Sequence, residues 1–274
     1  MKVLIYVNKE KDNKRKCLAL LVDALKSHSV DYKILEDEDL VNSESADALF
    51  SIGGDGTILF LAEFSKRNSI PIIGINAGKL GFLCEFEKNE INLAVENLVN
   101  HKFKKDKRLM LKVIINNQSF YALNDIYIQR TYEHNVGNLV ADISVNIDRV
   151  LVSKYKGDGA IISSPTGSTA YSFSLGGPLV SPHTAAFVVT PIAAHSFNQR
   201  PIVYSAGSTC KISVSGKAKT GVFVDGKFVG QLDDDNPSVE VLCAEKPLVF
   251  LRDAKYNFFM NLSNKLNNKG AFNE

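Results

Sequence analysis

The chain has no tryptophan, and no uninterrupted apolar stretch approaches the ~18 residues that a membrane-spanning helix needs. Its four cysteines, Cys17, Cys84, Cys210 and Cys243, stand far apart and form no CxxC or Cys/His pattern. That spacing argues against a zinc cluster or a disulfide framework, and reduced, mostly buried thiols are expected. Charge of one sign is also scarce. The 32 Lys and Arg stand against 30 Asp and Glu, an excess too small to make nucleic acid or a membrane surface the main partner. The opening MKVLIYVNKEKDNKRK turns to charge after one short apolar run, unlike a signal peptide, so a cytoplasmic location is expected.

What remains suits a packed globular protein. Hydrophobic residues at 45% and charged residues at 23% sit near the usual balance, and 274 residues can build one large domain or two modest ones. Val3-Leu4-Ile5-Tyr6-Val7 reads as a strand covered on both faces. Leu18, Leu21, Val22 and Leu25 recur with the spacing of an amphipathic helix. A strand is expected at Ala48 to Ile52, a helix from about Ile58 to Arg67, a strand at Ile70 to Ile75, and a helix carrying Ile91, Val95 and Leu98. This alternation predicts an α/β domain over residues 1–100 with a parallel sheet.

After residue 100 the texture changes. His101 to Arg108 is basic and polar, and reads as a solvated connector. Beyond it, short Val- and Ile-rich runs end at turn pairs: Asn116-Asn117, Asp148-Arg149 and Asp225-Gly226. These predict antiparallel hairpins and a β-rich domain over 101–252. A helix is expected from Tyr256 to Leu266, with Phe258, Phe259 and Leu262 on one side, and a loose tail from Asn267 to Glu274.

Two stretches carry chemistry. Gly53-Gly54-Asp55-Gly56-Thr57 lies where a predicted strand gives way to a helix, the place where open α/β sheets bind ligands. Glycines there let backbone N–H groups turn toward an anion, and the helix start adds partial positive charge. A lone carboxylate in such a cradle repels phosphate unless it has a task. Asp55 could accept a proton from an attacking hydroxyl, hold Mg²⁺, or simply cap the helix. The familiar phosphate motifs are absent. No GxGxxG follows a strand, and Gly74 to Leu80 is one residue short of a P-loop without its final Ser/Thr.

The second stretch runs from Gly157 to Pro178 and crowds together glycines, hydroxyls and Tyr171. Small residues allow close approach to a flat ligand, and hydroxyls donate and accept without charge. A Ser/Thr-rich crossover loop is the plainer alternative.

Taken in order, Gly53 to Thr57, Gly74 to Leu83, Leu123-Asn124-Asp125, Gly157-Asp158-Gly159, Ser164 to Tyr171, Thr190 to Ser196, Arg200-Pro201 and Val224-Asp225-Gly226 resemble the bacterial NAD kinases over nearly the whole chain. The first motif alone is shared with several lipid and sugar kinases, whereas the Pro165 to Tyr171 run beside it is specific. The resemblance implies an α/β domain, a β-rich domain, and a terminal segment 253–274 packing back on the first domain. It implies NAD and ATP as substrates, Mg²⁺ or another divalent cation, a dinucleotide cleft partly completed by a neighbouring subunit, and a homodimer or homotetramer.

By the same resemblance, Asp55 is the proton acceptor for the 2′-hydroxyl of the adenosine ribose, and Gly56 lies beside it at the phosphates. Asn124 and Asp125 would hold the other ribose, and Asp158 would lie near the nicotinamide carboxamide, preceded by the basic Lys156. Thr166 and the segment Thr169, Ala170, Tyr171 to Ser174 would line the adenine side with Phe82 nearby, and Ala193 would meet the dinucleotide. His195 is expected to be a structural hydrogen-bonding residue and Lys79 a solvated side chain.

The chain departs from the pattern at Asp125 (usually Glu), Ser164 (usually Thr), Ala194 (usually Pro) and Lys227 (frequently Gln). The competing readings are a lipid kinase with the same glycine-rich motif and a non-catalytic NAD(P) sensor. The hydroxyl-rich run argues against the first, and the intact Asp55 against the second.

Overall fold

The computed structural model describes residues 1–78, 81–131, 140–216, 218–232 and 237–267. They form two units, one of Met1–Lys107 with the chain from Leu248 onward, the other of Arg108–Pro247.

In the first unit β1 (Lys2–Val7) is apolar through its middle and pairs in parallel with β2 (Asp31–Leu35) on one side and β3 (Ala48–Gly53) on the other. Between β1 and β2 runs α1 (Lys16–Ser27), which buries Cys17, Leu18, Leu21 and Leu25, close to the expected stripe. Helix α2 (Asp55–Asn68) starts three residues before its first apolar position, because its opening turn is made by the polar Asp55-Gly56-Thr57. Then come β4 (Ile72–Asn76), the two-residue β5 (Phe86–Glu87), α3 (Ile91–Val99) and β6 (Lys104–Arg108). The basic segment expected as a connector is thus largely a strand. Lys104, Lys105 and Lys107 face solvent while Asp106 and Arg108 turn inward. Charges on an edge strand keep it from pairing with other chains, so the composition fits the place.

The second unit contains β7 (Leu111–Ile115), β8 (Gln118–Ala122), β9 (Asp125–Arg130), β10 (Ala141–Ile147), β11 (Val150–Gly157) and β12 (Gly159–Ser163). After a 3₁₀ turn at Thr166–Thr169 and the short α4 (Tyr171–Ser174) it continues through β13 (Ala186–Ile192), β14 (Ile202–Ser205), β15 (Cys210–Ser215), β16 (Thr220–Val224), β17 (Lys227–Leu232) and β18 (Ser238–Cys243). Among the described residues these make two antiparallel sheets, ordered β11-β10-β15-β18-β7-β8 and β14-β13-β12-β9-β16-β17. Alternate residues such as Val113, Ile143, Ile212 and Val241 from one sheet meet Ile126, Ile128, Ile162 and Val222 from the other in a common core. The expected hairpins form. Asn116-Asn117, Asp148-Arg149 and Asp225-Gly226 all have positive φ, the backbone that two-residue hairpin turns require.

The chain then returns to the first unit as β19 (Leu248–Arg252) and α5 (Phe258–Asn267). β19 pairs in parallel with β4, so the sheet reads β2-β1-β3-β4-β19-β6, with β5 on β4. The expected boundary at 252 therefore falls too late, and the one at 100 too early. β19 is buried on both faces, as suits a parallel sheet and not a half-exposed hairpin. On α5, Phe258 and Leu262 are half-buried, but Phe259 is 62% exposed. Neighbouring residues on a helix do not share a face, whereas positions four apart do. Asn267 ends the helix, and the rest of the expected tail lies outside the described residues.

Candidate functional site

In the first unit the site begins with the glycine turn between β3 and α2. A Cβ on Gly53 would lie 2.2 Å from Thr57 Oγ1, so this position must be bare for Thr57 to fold inward. Thr57 Oγ1 accepts the Gly54 N–H (3.4 Å) and Asn8 Nδ2 (3.3 Å), which closes the turn onto the end of β1. Gly54 and Gly56 instead have open space where a Cβ would stand, leaving their backbone approachable.

Asp55 does not cap its own helix. Its carboxylate reaches away to accept three consecutive N–H groups: Phe82 to Oδ2 at 2.6 Å, then Leu83 and Cys84 to Oδ1 at 3.0 and 3.2 Å. An ionised carboxylate offers roughly four lone-pair sites, so one stays available after three bonds. Phe82 is half-buried, with Lys265 Nζ 4.5 Å from its ring centroid. Burial, aided by the neighbouring Asp55 charge, pushes the Cys84 thiol up to about 12, which makes it inert as a nucleophile. Lys79 lies outside the described residues.

The second unit uses the same device. Asp225, in the β16–β17 turn, accepts the N–H of Leu123 on Oδ2 (2.7 Å) and those of Asn124 and Asp125 on Oδ1 (2.8 and 3.1 Å). The backbone of this segment is held from its other side as well. Ser164 Oγ donates to Leu123 O at 2.5 Å and the Ser164 N–H to Asn124 O at 2.8 Å. A Cβ on Gly167 would lie 2.1 Å from Asn124 O, so Gly167 is bare to let that turn approach.

Asp125 is buried, and burial together with the facing Asp225 charge pushes its carboxyl up to about 7. Asp225 is half-buried, with its carboxyl turned onto the N–H groups of Leu123, Asn124 and Asp125. Desolvation raises it to about 6 against the pull of its three N–H donors. Those donors favour the charged form of Asp225, so of the two it is Asp125 that keeps its proton to the higher pH.

The hydroxyl-rich run serves its own chain more than the sequence suggested. Ser164, Ser168 and Ser172 are fully buried. Ser168 Oγ donates to Pro165 O (2.7 Å) and accepts the Val180 N–H (3.0 Å), while Ser172 and Thr190 pair at 3.2 Å. Thr166 is buried too, its Oγ1 3.4 Å from Arg108 Nη1. Thr169, Ala170 and Tyr171 are half-buried and Ser174 is exposed, so these four keep surface for a ligand. The Tyr171 ring meets Tyr127 edge-on at 5.2 Å, and Tyr127 stacks on Phe223 at 4.7 Å.

Asp158 Oδ1 pairs with Arg130 Nε at 2.7 Å, whereas Lys156 is exposed with Nζ 3.9 Å from Asp142. Ala193 is exposed at φ 45°. A Cβ on Gly157 would come within 3.0 Å of Ile192 O and 3.1 Å of Ala193 O, so the Asp158 and Ala193 segments adjoin. His195 is exposed, and it is the backbone N–H that joins Lys156 O (2.8 Å).

Three neighbours escaped the sequence reading. Tyr127 had a usable signal, since it stands two residues after Asp125 on the same strand face. Arg130 and Phe223 had none, because strand pairing alone brings them to Asp158 and Tyr127.

Comparison with known proteins identifies the family. Residues 4–103 match the model of the ATP-NAD kinase N-terminal domain, and residues 123–252 that of the C-terminal domain. An NAD kinase from Caldicellulosiruptor bescii is 34% identical over 266 residues, covering 97% of this chain and 99% of the relative. One from Fusobacterium nucleatum is 32% identical, with 97% of each chain covered. Among solved structures, an Archaeoglobus fulgidus NAD kinase in complex with ATP superposes with a TM-score of 0.78 at 27% identity, over 97% of this chain and 98% of that one. A yeast NADH kinase complexed with NADH shares the fold, with a TM-score of 0.85 at 23% identity over 99% of this chain and 88% of that one. Both units thus match one family along almost their whole length, and the chain belongs to the NAD kinases.

Proposed function

We propose that the protein transfers a phosphoryl group from ATP, or another phosphate donor, to the 2′-hydroxyl of the adenosine ribose of NAD, giving NADP. Family membership supports the reaction. The observation that supports its chemistry is the Asp55 carboxylate, fixed by three N–H donors at the start of α2 beside the bare Gly54 and Gly56.

Phosphoryl transfer depends on positioning and charge neutralisation more than on covalent chemistry. A ribose hydroxyl is a weak nucleophile at neutral pH, so Asp55 takes its proton as the new P–O bond forms and the donor's bridging P–O bond breaks, ADP leaving when the donor is ATP. Gly54 and Gly56 let the donor's phosphates approach the backbone N–H groups at the helix start. In the second unit Asn124 and Asp125 hold the nicotinamide ribose, and Asp158, oriented by Arg130, accepts from the carboxamide. Tyr171, Thr169, Ala170 and Ser174 offer surface to the adenine side, Phe82 contributes an aromatic face, and Ala193 offers a bare one.

No group of three metal-ligating side chains occurs among the described residues. Asp55, the carboxylate at the glycine turn, has most of its lone pairs taken. The residues therefore fit a divalent cation that would be brought in on the donor's phosphates, where it would neutralise phosphate charge, while the free lone pair of Asp55 is left to the ribose hydroxyl. Among the described residues no helix is long and apolar enough to cross a membrane.

The test is incubation of the purified protein with ATP, Mg²⁺ and NAD, followed by an NADP-specific cycling assay. Absence of NADP with ATP and with polyphosphate alike would remove the proposal.

A further inference from the structure

The return strand β19 ends on Arg252, which is 1% exposed and whose guanidinium serves the turn around Asp55. Arg252 Nη1 donates to Leu83 O at 2.7 Å. That carbonyl belongs to the same planar peptide unit as the Cys84 N–H, which donates to Asp55 Oδ1 at 3.2 Å. Asp55 and Arg252 therefore hold opposite ends of one peptide. Fixing the carbonyl fixes the direction of the N–H, since the two cannot rotate independently.

Arg252 is itself tightly held. Its Nε lies 3.3 Å from Asp106 Oδ2 on β6, and Nη1 lies 3.6 Å from Glu85 Oε2. Phe250 and Tyr256 have their ring centroids 4.4 and 4.5 Å from the guanidinium carbon. Glu85 Oε1 also accepts the Asp253 N–H at 2.9 Å, tying the residue after the turn to the end of β19. A guanidinium aims donors on separate nitrogens at a carbonyl and a carboxylate in fixed directions, whereas a lysine ammonium has one nitrogen for both.

We propose that Arg252 is a positioning residue for phosphoryl transfer, holding the Leu83–Cys84 peptide so that its N–H fixes the Asp55 carboxylate. The proposal rests on Asp55 as the proton acceptor. Misplacing a reacting group by about 1 Å can cost ~10²-fold in rate, so Arg252→Lys should lower kcat by about 10- to 100-fold. The dissociation constant for NAD, measured without donor, should stay within about twofold, because the ribose contacts of the second unit are untouched.

The deciding measurement is a double-mutant cycle with Asp55→Asn. Once the carboxylate is gone, Arg252→Lys should cost nothing further in kcat. Equal losses in both backgrounds, or an unchanged kcat in folded Arg252→Lys, would overturn the proposal while leaving Asp55 as base. A near-native kcat in Asp55→Asn alone would overturn the base assignment and this proposal with it.

If Arg252→Lys does not fold, Arg252→Met combined with Asp106→Asn and Glu85→Gln removes the guanidinium and both carboxylates that face it, so none of the three charges is left uncompensated. The same cycle is then run in that protein. Failure of both variants to fold would also overturn the proposal, by showing that Arg252 supports the unit as a whole.

Discussion

Gly81 is bare because Asp55 occupies its side-chain space: a Cβ there would lie 2.0 Å from Asp55 Oδ1. The Asp55 carboxylate cannot move aside freely, since the next three residues hold it by their N–H groups. Gly81→Ala should therefore leave the fold of the first unit intact yet push Asp55 off its position. The expected result is a fall in kcat of up to ~10²-fold, the scale of a misplaced reacting group. A Gly81→Ala protein with native kcat would show that Asp55 needs no fixed position.

Asp55→Asn tests the base directly, and the geometry says what else it will do. The Asn Oδ1 can keep the Leu83 and Cys84 bonds, but its NH₂ would face the Phe82 N–H, donor against donor. Losing one buried acceptor costs ~1–3 kcal/mol, and this part-buried one less, so a slightly lower melting temperature should accompany a ~10²–10⁴-fold lower kcat. A stable variant with near-native kcat would reduce Asp55 to a loop anchor of the Asp225 kind.

That kinship between Asp55 and Asp225 marks where sequence reading stops. The glycine turn, its strand and its helix were legible because glycine, apolar runs and helical periodicity are local signals. The partners of both aspartates are backbone N–H groups, which every residue but proline carries, so no side-chain pattern announces them. The buried serines misled for a related reason: Ser168 and Ser172 bond a local turn and a neighbouring strand, a choice made by packing. Strand β19 fell inside the span read as the β-rich domain, and only its pairing with β4 reveals that Arg252 belongs with Leu83.

The Asp125–Asp225 pair should make stability depend on pH. Both carboxyls are raised from their ordinary value near 4, to about 7 and about 6, so the folded second unit binds protons that the unfolded chain releases. Their stabilising contribution is full below ~pH 4 and is lost as pH rises through 6 to 7. Asp125→Asn removes the repulsion, so it should raise the melting temperature relative to the parent at pH 8 and not at pH 4. Thermal unfolding at the two pH values decides, and an equal effect at both would mean that the two carboxylates do not repel one another.

The protein should assemble as a homodimer or homotetramer. β11 is an edge strand, and Val150 and Leu151 on it are 63% and 56% exposed, a surface that invites burial by another chain. Light scattering at micromolar concentration should report a multiple of the 30.1 kDa chain mass. A fully active monomer would contradict the expectation.

Asp125, which the resemblance places where relatives carry the longer Glu, should also set how the protein grips its dinucleotide. The backbone at Leu123 to Asp125 is clamped by Asp225 on its N–H side and by Ser164 and Gly167 on its carbonyl side, so it cannot retreat. A longer side chain would have to fit into a site where Asp125 is already buried. Asp125→Glu should thus be harmful here, with the ~1–3 kcal/mol of an overpacked position and a raised KM for NAD. Asp125→Ala should raise KM while keeping kcat within about threefold, the signature of binding lost equally from ground and transition states. The two variants separate the roles. If Asp125→Glu behaves like the parent, the site has room and the clamp does not set the reach to the ribose. If Asp125→Ala loses kcat at saturating NAD, this carboxyl acts in the transition state, and Asp55 is no longer the only acid–base group of the reaction.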